Sequence, residues 1–133
     1  GERALQEGDP IALSVRLPSF TANLWTLYFS NDASAVRIYP IGTKPPAPFA
    51  PNTTTVLGDG AQGGPHMQVG APFGTDLAVS VASSVPLSAS VLPADGSVST
   101  MVPALAQLLG QASQAGGQVA VALHPIITHP ARH

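Results

Sequence analysis

Residues 11–17, IALSVRL, alternate strictly: Ile11, Leu13, Val15 and Leu17 fall on one side, Ala12, Ser14 and Arg16 on the other. A period of two predicts a half-buried strand, and Pro18 closes it. ANLWTLYFSNDASAVRIYP comes next, with Trp25, Leu27 and Phe29 in one phase and Leu24, Thr26 and Tyr28 in the other. SNDAS supplies turn chemistry, since Asn and Asp bond their own backbone and tolerate left-handed geometry. Val36 and Ile38 then alternate with Arg37 and Tyr39, so the whole stretch predicts a β-hairpin.

Five prolines within residues 40–52 (Pro40, Pro45, Pro46, Pro48 and Pro51) remove backbone donors repeatedly and predict an extended connection. TTTVL and PHMQVG read as short strands. TDLAVSVA is a clearer one, with Leu77, Val79 and Val81 on one face and the small Ala78, Ser80 and Ala82 on the other. GQVAVALHPIITHP alternates again through Val119, Val121 and Leu123, and Pro125 requires an edge or a bulge if the strand continues to Thr128.

Helical period occurs once. Met101, Leu105, Leu108, Leu109 and Ala112 form a single apolar stripe. Ser99 or Thr100 is the expected cap, with Pro103 in the first turn and Gly116–Gly117 as the stop. The pattern therefore predicts a mainly β fold: an antiparallel β-sandwich of six or seven strands, with one α-helix from the C-terminal half packed at its side or end. The expected division is a linker over 1–10, the domain over 11–128 and a tail over 129–133. The opening GERALQEGDP lacks the basic end and apolar middle of a signal peptide and reads as a cut within a longer protein, with Gly1 a cloning remnant.

Composition narrows the chemistry. Of 133 residues only 9% are charged, and the net charge is −2. Five scattered Lys and Arg residues give no electrostatic footprint for nucleic acid, and no stretch approaches the about 20 apolar residues that span a bilayer. The absence of cysteine excludes disulfides and thiolate chemistry. No cofactor is expected: Gly58, Gly60 and Gly63 match G-x-G-x-x-G, but the pattern needs a strand before it and a helix after it, and here Gly64 and Pro65 come instead.

His124, His129 and His133 cluster near the C-terminus, yet Pro125 and Pro130 prevent the helix that would align them for a metal. A loosely ordered end is the better reading. A calcium site built from Asn31 and Asp32 would need a distant acid as well, because calcium takes about six or more oxygens. The acids form no catalytic pair and the serines no nucleophile elbow. Among the aromatic residues, Trp25 belongs with the core. Tyr28 and Tyr39, in phase with Arg37, are the candidate binding surface.

The segments LWTLYFSNDASAVRIYP and PFGTDLAVSVASSVPL resemble a bacterial domain family of unknown function that recurs C-terminal to caspase-like peptidase domains and in some serine/threonine kinase chains. The matching positions are Trp25–Ser30, Asn31–Asp32, Val36–Pro40, Gly74–Val81 and Ser84–Leu87. The resemblance implies an accessory module with no catalytic residues of its own. The first expectation is thus a non-catalytic protein-interaction or regulatory domain, its partner another protein or an upstream catalytic domain, docked at an open sheet edge or on the Arg37/Tyr39 face. The second is a small-ligand or carbohydrate-binding module using Tyr28 and Tyr39. Low charge and open edges are compatible with a homodimer. The compartment is not legible, with the cell envelope or periplasm favoured.

Overall fold

A computed structural model describes residues 3–41, 46–60, 66–87 and 92–131. Among these residues eight strands and one helix run in the order β1 (Arg3–Gln6), β2 (Leu13–Arg16), β3 (Asn23–Phe29), β4 (Ser34–Tyr39), β5 (Thr54–Leu57), β6 (Thr75–Ser83), β7 (Asp95–Ser97), α1 (Val98–Gln114) and β8 (Val119–His129). The fold is mainly β with one helix, as the periodicity predicts. The details differ.

A six-stranded sheet runs β1-β8-β6-β3-β4-β7, and β2 pairs with β5 in a separate two-stranded sheet. The large sheet is mixed rather than antiparallel throughout, because β1 lies parallel to β8 with Arg3 opposite Ile126 and Gln6 opposite His129. Residues 3–6, expected in a linker, are thus a sheet strand. The pairing is invisible locally because its partner lies more than 120 residues away. At the end of the same strand, Glu7 N donates to the His129 carbonyl at 2.8 Å.

The alternation in β3 and β6 sorts side chains between two cores. Trp25, Leu27, Phe29, Val79 and Val81 meet Met101 and Leu108 of the helix. Leu24, Tyr28, Ala78 and Ala82 meet Leu13, Val15 and Leu57 of the two-stranded sheet. The small residues of β6 therefore lie beneath another layer, where their size lets β2 and β5 approach. The helix covers one face of the large sheet rather than sitting at its side or end, and it reaches β4 and β7. No described helix is long and apolar enough to cross a membrane.

The helix starts earlier than its apolar stripe suggests. Ser97 is the N-cap: its Oγ accepts from Thr100 N at 3.3 Å, while Thr100 Oγ1 accepts from Ser97 N at 3.1 Å. This reciprocal capping satisfies two orphan donors at once and outweighs the proline, which falls in the second turn. At the other end Gly116 N reaches the Ser113 carbonyl, and because Gly116 adopts φ +72° Gly117 N reaches that of Ala112. The second bond requires the left-handed turn that glycine permits.

Candidate functional site

The expected surface of Tyr28, Arg37 and Tyr39 is not a surface. Their exposures are 4%, 7% and 4%. Nor do the three share a face: Arg37 opposes Leu27 and so faces away from Tyr28, while a register shift between Thr26 and Leu27 sets Tyr39 opposite Thr26 and on the side of Tyr28. This bulge inserts Ile38 and reverses the phase of the residues beyond it. Arg37, opposite Leu27, points into the helix-side layer, 5.6 Å from the Trp25 ring, and its Nη1 donates to the Leu92 carbonyl at 2.7 Å. Tyr39 points the other way and tilts against Phe49 with ring centroids 5.6 Å apart. Burial lowers the guanidinium's proton affinity and raises the Tyr39 phenol's pKa.

Tyr28 belongs to a polar latch. Its hydroxyl donates to Asp76 Oδ2 at 2.6 Å, and Asp76 Oδ1 accepts from Asn31 N at 2.9 Å and Asn31 Nδ2 at 2.8 Å. Burial first, and then the bond to Asp76, push the Tyr28 phenol well above its ordinary range. A hollow of about 220 Å³ lies beside this group, bordered also by Thr128. Its main polar atoms are already engaged: Thr128 Oγ1 accepts from Gly74 N at 3.0 Å, and Asp76 serves the β3–β4 turn. The arrangement ties the start of β6 to that turn.

The other sequence candidates also separate. Asp32 Oδ1 accepts from Ser34 N and Oγ, a turn contact that lowers its pKa, while the Asn31 amide turns to Asp76 and Pro72. His124 and His129 lie five positions apart on one strand and so face opposite sides; His133 lies outside the described residues. Among the described residues no group of three His, Cys, Asp or Glu side chains could hold a metal. Gly58 sits at φ +92° with the Ile11 carbonyl where a Cβ would project, so close backbone approach explains this glycine. Gly63 is outside the described residues.

A different place stands open. The β8 residues 126–129 are covered by β1, but among the described residues no strand pairs with the outer edge of 119–125. Two bonds define the phase of the β6–β8 ladder: Ser84 N to the Gln118 carbonyl at 2.9 Å, and Thr128 N to the Gly74 carbonyl at 2.7 Å. Even-numbered β8 residues therefore bond to β6, and the amides of Val119, Val121 and Leu123 point outward. Pro125 has the same phase, so its missing donor costs the ladder nothing, and the strand passes through it unbroken.

The side chains of Val119, Val121 and Leu123 lie on the helix side, yet they are 37%, 52% and 61% exposed. The helix packs over β3 and β6 and leaves them uncovered. On the other face, a cleft of about 320 Å³ opens between the end of β2 and the strands β6 and β8. Val15, Leu17, Pro18 and Leu24 wall it, Ala82, Ala120 and Ala122 leave it roomy, and Arg16 and Asn52 border it. The hydroxyl of Ser80, also at the cleft, is already bonded to Thr26 at 2.9 Å. The sequence signal for this site was the run VAVAL at 119–123, uncharged and proline-free, but alternation alone left its neighbour undetermined. No family model, curated protein or solved structure matches the chain.

Proposed function

We propose that this chain is a non-catalytic accessory domain of a larger bacterial protein, a sandwich-like scaffold that docks a protein partner along the open edge of β8. The supporting observation is the edge itself. Residues 119–123 combine outward backbone amides with exposed Val119, Val121 and Leu123 side chains, and neither charge nor proline interrupts them before Pro125. Natural sheets usually blunt such an edge with charge, proline or a covering element. Adding an extended chain satisfies its amides and covers its apolar side chains together. The resemblance to the accessory family points in the same direction, as do the internally engaged polar groups of the Tyr28–Asp76 latch.

A Val121→Pro substitution tests this reading. The Val121 amide points outward, so its loss removes a docking donor without removing a ladder bond. Peptides selected on the intact domain from a displayed random library should lose binding to this variant while its far-ultraviolet circular dichroism stays unchanged. Selected peptides that bind both forms equally would refute edge docking; Leu123→Lys offers a second block if the proline variant misfolds.

The small-ligand alternative draws on the 320 Å³ cleft. Its carbohydrate version loses its aromatic platform, since Tyr28 and Tyr39 are buried.

A further inference from the structure

We infer that the cleft and the open edge form one site, whose occupant is an extended peptide with large apolar side chains at alternate positions and an acidic residue beside them. This inference rests on the edge-docking reading and specifies its ligand. A strand laid along residues 119–124 sends alternate side chains to each face of the sheet. Those opposite Ala120 and Ala122 enter the cleft, and the others cover Val121 and Leu123 on the helix side. Three features make the cleft side selective.

The first is volume. About 320 Å³ lies at the small end of the range for small-molecule sites, roughly 300–1,000 Å³, and suits side chains better than a whole drug-sized ligand. The second is lining. Val15, Leu17 and Leu24 provide apolar walls, while Ala82, Ala120 and Ala122 leave space that an incoming side chain can fill. The third is charge. Arg16 borders the cleft, its side chain is exposed, and among the described residues it has no carboxylate partner.

A second copy of this chain fits the same edge less well. An antiparallel β8–β8 pair centred on Val121 would match Val119 with Leu123 and cover the apolar stripe on the helix side. However, it would bring only the partner's Ala120 and Ala122 over the cleft. A void against which no atoms pack forfeits dispersion contacts. A heterologous strand with leucine or phenylalanine at the cleft positions fills both sides.

Calorimetry with synthetic acetylated octapeptides tests the inference. The reference peptide alternates threonine and leucine and carries one aspartate; in two relatives, alanine replaces the leucines or lysine replaces the aspartate. The leucine peptide should bind at least about tenfold more tightly than the alanine peptide, given the apolar area it buries. Ala122→Leu, or Ala120→Leu if that variant misfolds, should abolish this preference by filling the cleft from its floor. Arg16→Glu should reverse the preference for aspartate over lysine.

Equal binding of the leucine and alanine peptides, both lost in Val121→Pro, would overturn the cleft inference and leave edge docking standing. Binding indifferent to Val121→Pro, or no binding by any peptide, would overturn both. Light scattering that finds a dimer for the unmodified chain and a monomer for Val121→Pro would make a second copy the occupant and would also overturn the inference.

Discussion

Asp76→Ala should destabilise the domain by about 3–4 kcal/mol, because one carboxylate accepts three hydrogen bonds that join two distant segments. The largest part comes from Tyr28. Its hydroxyl is held at 2.6 Å within a side chain only 4% exposed, and a buried donor left without an acceptor costs about 1–3 kcal/mol beyond the lost bond. Asn31 contributes less, since that residue is exposed and water replaces its partner. For a chain of this length the sum corresponds to a melting-temperature drop of roughly 10–15 °C. Tyr28→Phe removes the donor while leaving the carboxylate its Asn31 contacts, and should cost only about 1–1.5 kcal/mol.

Urea unfolding monitored by Trp25, the chain's single tryptophan and 5% exposed, reads both variants and the double mutant. In the Tyr28→Phe background, Asp76→Ala should cost about 1.5–2 kcal/mol less than it does alone, which is the coupling of the pair. Additive costs, with no coupling beyond error, would refute the claim that the latch acts through Tyr28. A loss below about 1 kcal/mol for Asp76→Ala alone would refute its role in stability altogether.

Local geometry sets three further outcomes. Ala33 adopts φ +70° in the β3–β4 turn, so Ala33→Gly should raise stability by about 0.5–1 kcal/mol in the same unfolding assay, relief of left-handed strain exceeding the added chain entropy. Ser97→Ala removes the side-chain half of the helix cap and should cost about 1 kcal/mol, with Ser97→Gly costing less. His124 has its Nε2 buried without a hydrogen-bond partner, and burial lowers its folded-state pKa below the ordinary histidine value. The unfolded chain thus takes up the proton first: stability contributed by the neutral ring is present above about pH 6.5 and is lost as pH falls from there toward the folded-state pKa. Melting temperature should decline across that interval, and His124→Gln should flatten the decline.

Much of the local structure was legible along the chain, because its causes are local. Period-two alternation marked β2, β3, β4, β6 and β8, and it sorted Trp25, Leu27 and Phe29 correctly from Leu24 and Tyr28. Gly116 marked the helix stop because few other residues adopt its φ. The helix start was misplaced for an equally local reason: Ser97 and Thr100 cap each other, while the apolar stripe begins only at Met101.

Tertiary structure decided the rest, since it depends on partners far away in sequence. Burial of Tyr28, Arg37 and Tyr39 results from layers on both sides of the sheet, and one inserted residue at the β3–β4 bulge sends Arg37 and Tyr39 to opposite faces. The parallel seat of β1 requires residues 126–129 to be in place already. Among the described residues β1 pairs with β8 only at 126–129, and the helix packs over β3 and β6, which leaves residues 119–123 with an unpaired edge and exposed side chains. A strand's own alternation shows which side chains share a face, but its neighbours alone decide whether that face or edge meets protein or water.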